Sequence, residues 1–485
     1  MYSTLTPQER ARVALMRFGL GPKVNGKKNL SASPHAARQA LLDEIAAGPA
    51  RISEAEIKVP STDQNDQKVS FTFPQTCRYG MNLRTKPVPA SSTTEVPTEG
   101  VHNYVRPTPW DFQSAERALR LVKYQEPEVG FVERLVLFWV NHFSILSSKH
   151  GIIAATAGHL ERTVIRQHVL GNFADMLKGV IKHPAMITYL DNHVSYGPTS
   201  TLGRRWKATY NENLAREILE LHTVGVYGGY SQNDVIGLAK IITGWTIYPY
   251  NNGNAGQFYF NKDLHEPGAF TVIGKEFAQA GEAQGTAALE YLAIHPATAQ
   301  HIARKLLRHF VTDNPTEKMI QELADAFVVS NGNLKAVSTA LVNLDSAWIK
   351  PGTGIRRPYE WMVSIVRGVG FSGANATALE PAFDIINTNM SNQIWKHMTP
   401  DGYPDDNYVW ETPDAVRVRK DAAGHLLATG AVWKDPKWKS QKPSELAKTL
   451  VPHLSMAAAS AIQKLDRDPM QALNLLFVTP EYLRR

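Results

Sequence analysis

The sequence predicts a mainly α protein. It reads as a large multi-helix globular fold with one small β-hairpin excursion at about 256–274 and a long irregular segment at about 60–109. Three observations carry this reading. Apolar residues recur at helical spacing along most of the chain. Seven of the 29 prolines fall between residues 60 and 109, among Ser, Thr and Asp. One stretch, GQFYFNKDLHEPGAFTVIG, alternates in polarity and carries turn residues between two strand-like runs.

Taken in order, residues 4–18 place Val13, Met16 and Phe18 near one face. Ser33-Pro34 then caps a second helix with proline in its first turn. These N-terminal helices, residues 1–48, are expected to pack on the core. The Pro/Ser/Thr-rich excursion, 49–109, holds at most short strands around 69–73 and serves as a lid or a surface wrap. Helices resume at 110–125 and 128–145, then at 154–182, 184–191, 209–224 and 232–245. After the hairpin they return at 283–294, 297–310, 315–329, 333–343 and 358–368. Residues 110–369 thus form the main helical core. Residues 370–440 read as irregular and aromatic-rich, a helix covers 444–463, and 370–485 belongs with the core. No fixed-period repeat is visible.

Composition narrows the function classes. Of 485 residues 43% are apolar and 20% charged, ordinary for a globular chain. Lys and Arg number 52 against 45 Asp and Glu, a net charge of +7 that suits an anionic ligand, polymer or protein. The basic residues are scattered, so nucleic acid is not the expected partner. The densest group, Arg304-Lys305 with Arg308-His309, reads as the solvated face of a helix whose other face is Ile302, Leu306 and Phe310. Cys77 stands alone and excludes an intrachain disulfide. No apolar run near the motif-rich region approaches the ~20 residues of a membrane span. The N-terminus shows no secretory signal. A soluble chain is expected, cytoplasmic or exported with a signal-bearing partner.

Three helices put polar groups where periodicity calls for apolar ones. In FVERLVLFWVNHF, His142 falls between Phe131, Leu135 and Phe138 on a helix that is hydrophobic almost all round. In HLERTVIRQHVL, Glu161 and His168 share the stripe of Leu160, Val164, Ile165 and Val169. In NENLAREILELHTVG, His222 sits beside Ala215 and Ile218. Buried imidazoles must be hydrogen-bonded or ligating, because an unpaired polar group in a core costs about 1–3 kcal/mol. His142, Glu161, His168 and His222 are therefore the candidate ligand set for a divalent transition metal, zinc or iron. No HExxH or CxxC spacing supports it, and satisfied core histidines explain each residue singly. On the third helix Glu212, Asn213, Arg216, Glu217, Glu220 and Thr223 form one polar arc, which suits a solvated face as well as a site. Arg216, Glu217 and Glu220 are its candidate catalytic or substrate-contacting residues. Val226-Tyr227-Gly228-Gly229-Tyr230 follows a helix, so it reads as a helix end and turn rather than a phosphate cradle.

Several segments together are similar to a known family. WVNHF (139–143), ERTVIRQHVLGNFADML (161–177), KHPAMITYLDNHVS (182–195), NENLAREILELHTVGVYGGYSQNDV (211–235) and ITGWT (242–246) resemble the bacterial family termed domain of unknown function 1800. HPATAQHIARKLLRHFV (295–311), DGYPD (401–405) and TPEYLRR (479–485) extend the resemblance over most of the chain. It implies a large, mostly helical fold and brings no assigned activity. It also implies a neighbour, since members are often encoded beside a family similar to alkaline phosphatases and sulfatases. One departure is Glu266 after His265, where the family pattern has Asp.

Two functional readings follow. The first is a metal-dependent or acid/base enzyme, a hydrolase or an oxidoreductase acting on an envelope polymer or peptide. The second is a non-catalytic binding or assembly partner of a phosphatase- or sulfatase-like protein, joined by salt-sensitive contacts.

Overall fold

The structure, a computed structural model, describes residues 5–24, 26, 29–60, 68–81, 107–348, 352, 354–371, 373–429 and 441–485. The expected irregular segment at 60–109 falls largely on 61–67 and 82–106, which lie outside the described residues. Its described part is more ordered than the proline content suggests. Val59–Pro60 pairs antiparallel with Lys68–Val69, and Phe73–Met81 is a helix. That helix seats on the Gly151–Leu160 helix through Gly80 and Gly151. A Cβ on Gly80 would stand 2.5 Å from the Ile152 Cα, and one on Gly151 2.4 Å from the Gly80 carbonyl oxygen.

The Phe131–His142 helix is central, as its all-round apolar sequence predicts. The Glu44 carboxylate takes the main-chain N–H groups of Val129, Gly130 and Phe131, offsetting the positive end of that helix. Around it one apolar cluster gathers Val13, Phe18, Leu41, Phe138, Leu177, Ile218, Leu306, Phe327 and Trp348. A second cluster, from Ile355 to Leu483, includes Trp361, Met362, Leu426, Leu473, Phe477 and Tyr482. Leu20, Leu121, Tyr124 and Leu137 from the first half of the chain complete it. Prolines open the helices at Pro184, Pro296, Pro358, Pro443 and Pro469, where the lost N–H is an orphan anyway.

Three expectations about the elements are corrected, and the expected small hairpin is present with a different strand pairing. The single helix over 154–182 is interrupted: Gly151–Leu160 widens into a π-helical turn at Glu161–Ile165, and a new helix starts at Phe173 with the Asn172 side chain capping Ala174. The helix at 209–224 begins only at Asn213 and ends in a π-helical turn, Ile218–His222. The segment 370–440 contains helices Gly373–Asn389 and Pro413–Thr429, disguised in sequence by Pro381 and clustered Asn. The strand-like runs of the 256–274 hairpin do not pair with each other. Phe258–Phe260 pairs back to Trp245–Ile247, and Phe270–Val272 pairs on to Lys275–Phe277. The latter turn has Ile273 and Gly274 both at positive φ (44° and 71°), the geometry of a tight two-residue hairpin.

No helix among the described residues is long and apolar enough to cross a membrane. Cys77 is free and buried, and burial raises its thiol pKa far above the usual range.

Candidate functional site

The π-helical turn Ile218–His222 is the geometric pivot of the site. Its wide register is closed by the Thr223 hydroxyl, which donates to the Ile218 carbonyl at 2.6 Å. The turn drives His222 inward beside His142, with ring centroids 6.0 Å apart, and the His142 Nε2 lies 3.2 Å from the His222 carbonyl oxygen. A third imidazole arrives from the Pro296–Phe310 helix. His301 stands 6.2 Å from His142, centroid to centroid, with its Nε2 3.0 Å from the Leu221 carbonyl oxygen. His142 Nδ1 and both ring nitrogens of His222 are buried without a hydrogen-bond partner.

Gly225 lets His301 approach. It has φ +83°, and a Cβ there would stand 2.5 Å from the His301 Nδ1. Gly225→Ala is accordingly expected to destabilise the protein by about 1–3 kcal/mol, measured by urea unfolding. A loss below a few tenths would contradict this packing.

Lys305, one helical turn beyond His301, is only partly exposed and acts electrostatically on the same three imidazoles. Its ammonium disfavours protonation of His142, His222 and His301, whose pKa values burial already lowers, to about 3 for His222 and about 4 for His301. Burial, then Arg357, brings Lys305 itself down from 10.5 to about 8, while Asp401 opposes the shift. No hydrogen bond or ion pair to Lys305 exists among the described residues. The expectation of a solvated basic face therefore holds for Arg304, which pairs with Glu317, holds only in part for Lys305 and Arg308, and fails for His309, which is buried.

The sign of the Lys305 effect is fixed. Below pH 8 the folded protein carries the full penalty of a confined cation. Between pH 8 and 10.5 the unfolded chain binds more protons, so stability rises with pH. Lys305→Met is expected to be more stable near pH 7, on the order of 1–3 kcal/mol, and to lack that rise. Thermal melts across pH 7 to 10 test it, and a destabilised variant would contradict it.

Asp401 belongs to the DGYPD loop, which Asn141 holds with both ends of its amide. Asn141 Nδ2 donates to the Tyr403 carbonyl at 2.9 Å, and the Tyr403 N–H donates to Asn141 Oδ1 at 2.8 Å. Gly402, at φ +76°, lies so close that a Cβ would meet the Asn141 carbonyl oxygen at 2.3 Å. Further along, Asp405 pairs with Arg357 and with His309 Nδ1, the latter at 2.8 Å, and Asp406 pairs with Arg308. The loop is thus clamped from helices far apart in sequence.

Glu217, on the helical turn leading into the pivot, is half-buried. Burial first, then Glu220, lifts its carboxyl from 4.5 to about 7. Arg216 opposes this shift and Asp401 adds to it. No hydrogen bond or ion pair to Glu217 exists among the described residues. Its neighbours on the arc are engaged elsewhere: Arg216 donates to Glu212 and Gln232, both at 2.9 Å, and Glu220 accepts from the Tyr230 hydroxyl at 2.9 Å. Tyr189 lies within the field of Glu217 and Asp401, and burial foremost raises its hydroxyl to about 12.

The four residues expected to share a metal do not come together. His142 and His222 are neighbours, but Glu161 lies between two guanidinium groups, 2.8 Å from Arg120 Nε and 3.5 Å from Arg166 Nη2. His168 is half-buried near Asp175 and Lys178. Among the described residues no three His, Cys, Asp or Glu are disposed to hold a metal ion. The physical reason is a partner invisible to the helical wheel. Arg120 comes from the Pro109–Lys123 helix and also lies over the rings of Tyr124, Tyr359 and Trp395 at 5.5, 5.5 and 5.1 Å. With Glu116–Arg162 and Glu133–Arg166 it makes Glu161 part of a buried ion-pair network.

Lys305 reads from sequence as a solvated basic residue, and His301, Asp401 and Tyr189 are not singled out there. A usable signal existed for two of them, because His301, Lys305 and His309 recur every four residues along one helix face.

The family model described as protein of unknown function (DUF1800) matches residues 13–484. No curated protein and no solved structure shows significant similarity to the chain. With nearly its whole length matched, the chain belongs to this family of proteins of unknown function.

Proposed function

We propose that this protein is an acid/base hydrolase in which Glu217 carries the proton. One observation supports this most: a half-buried carboxyl with no hydrogen bond or ion pair, held near neutrality by burial and by Glu220. A group whose proton comes and goes near pH 7 is suited to general acid/base work. In this reading protonated Glu217 delivers its proton to the leaving atom of a polymer or peptide linkage. Asp401, which with Glu220 also acts on Glu217, takes a proton from the attacking water. Lys305 offsets the negative charge that develops. Arg216 and Glu220 act as positioning residues, and His142, His222 and His301 form a buried wall behind Lys305.

The test is a screen of ester, phosphoester, glycoside and peptide substrates with the wild type, Glu217→Gln and Asp401→Asn in parallel. The proposal expects one class to be turned over by the wild type, with a pH profile inflecting near 7 that Glu217→Gln abolishes. Turnover that persists unchanged in both variants would overturn it.

The binding-partner reading is supported by a different feature. Tyr227, fully exposed, and Val226 project from the loop directly after the pivot, a small apolar edge beside the site. Salt-sensitive association with a phosphatase- or sulfatase-like protein, lost in Tyr227→Ser, would favour that reading over catalysis.

A further inference from the structure

We propose that the projecting turn at residues 204–207 docks the protein onto an anionic lipid surface. Arg204, Arg205, Trp206 and Lys207 close the short helix Thr201–Trp206, and all four are exposed, Trp206 at 53%. At about 100° per residue, four consecutive residues cover most of a helix's circumference. The last turn therefore stands clear of the body instead of laying one face on it. Its other end is anchored by buried Gly203 and by Ser200, whose hydroxyl accepts from the Gly203 N–H at 3.0 Å. The helix ends on Lys207 at φ +51°, where glycine is the usual residue.

The three cations are not spent inside the protein. Among the described residues no ion pair or hydrogen bond reaches the side chains of Arg204, Arg205 or Lys207. Lys262, exposed on the turn Lys262–Leu264 that packs against this helix, is equally unengaged. Cations elsewhere on this half of the chain differ. Lys149 pairs with Asp191, Lys178 with Asp175 and Glu290, Lys182 with Glu282, and Arg216 with Glu212. Two carboxylates share the segment with Lys262. Glu266 is buried and accepts from the Thr199 N–H and hydroxyl at 2.8 and 2.9 Å, and Asp263 is half-buried. The surface thus carries a local excess of positive charge.

The aromatic group favours a lipid surface over an anionic polymer. Trp206 stands across half-buried Tyr196, with ring centroids 5.6 Å apart and planes at 64°. Crossed rings give no parallel platform for stacked bases, and a projecting turn offers no groove along which a strand could run. An indole and a phenol beside free ammonium and guanidinium groups match the boundary between acyl chains and headgroups. There the rings enter the interface while the cations stay with the phosphates.

Co-sedimentation of the full chain with vesicles tests this, using phosphatidylcholine alone and phosphatidylcholine with phosphatidylglycerol at about 0.1 M salt. The expected result is binding to the anionic vesicles and none to the neutral ones. Arg204→Gln, Arg205→Gln and Lys207→Gln together should weaken it about tenfold, and Trp206→Ser alone about threefold. A charge-matched control, Lys318→Gln with Lys335→Gln and Lys464→Gln, removes three exposed cations far away in sequence and should change binding by less than about twofold. Failure to bind anionic vesicles, or an unaffected patch or Trp206 variant, would overturn the proposal. An equal loss in the control would do the same, because net charge alone would then explain the attraction. Tighter binding to a thymidylate oligomer than to the vesicles, lost in the patch variant, would give the surface to nucleic acid instead.

Discussion

Glu217→Gln is expected to lower turnover by about 10²–10⁴-fold, the usual contribution of a positioned acid or base, while leaving a folded protein. Gln keeps the side chain's shape and removes only the proton exchange. The stability effect separates this role from a structural one. Because the folded carboxyl titrates near 7 and the unfolded one near 4.5, the native state binds more protons between those values. Stability contributed by this group therefore falls as pH rises through that window, and the penalty is complete above pH 7. Discounted for the partial solvent exposure of the group, Glu217→Gln should be more stable at pH 8 by on the order of 1 kcal/mol. A site that gains stability when its acid is removed is one kept for function rather than folding. Glu116 shows the contrast. Burial foremost also lifts its carboxyl to about 7, yet it pairs with Arg162 inside the ion-pair network. A Glu217→Gln protein that retains wild-type turnover, or melts lower at pH 8, would defeat this assignment.

Glu161→Gln is expected to have the opposite character, costing about 3–5 kcal/mol of stability. The substitution neutralises the carboxylate between Arg120 and Arg166, leaving the Arg120 guanidinium without its carboxylate partner where it is 2% exposed, while Arg166 keeps Glu133. Arg120 keeps its contacts with three aromatic rings, worth far less than the lost charge in a desolvated setting. Replacing Glu161, Arg120 and Arg166 together with apolar residues of similar volume should recover much of the loss, since an apolar core needs no pairing. Urea unfolding of the single and triple variants measures both. A single-variant loss below 1 kcal/mol would mean that Glu161 is not the hub of this network.

What the sequence revealed depended on the range of the interaction. The buried helix around Phe138 was legible from its local apolar run, whereas Ser33-Pro34 lies just ahead of the helix Ala36–Ala47 that it was expected to cap. Periodicity also marked His142 and His222 as buried, and they are neighbours. It could not pair Glu161 with Arg120, because a wheel records one helix and the partner comes from another, 41 positions earlier. The same blindness hid Asp401. Its place depends on Asn141 gripping the Tyr403 backbone across more than 250 residues. The π-helical turns, which shift register by one residue, are likewise invisible to a 3.6-residue count. The small β excursion is present as expected, but which strands pair was not legible. The strand runs were correct in kind, but Ile273-Gly274 forms a tight turn that sequence rules reserve for Asn-Gly or Asp-Gly.

The proposed chemistry requires the Glu217 carboxyl to exchange its proton near neutrality. Carbon-13 NMR of protein labelled at glutamate side-chain carboxyls, titrated from pH 3 to 9, tests it directly, with Glu217→Gln identifying the resonance. The expected result is an inflection near 7 for that signal and a further rise when Glu220 is kept while Arg216 is replaced by Met. An inflection near 4.5 would show a solvated carboxylate on a helix face and would remove the basis for the proposed chemistry.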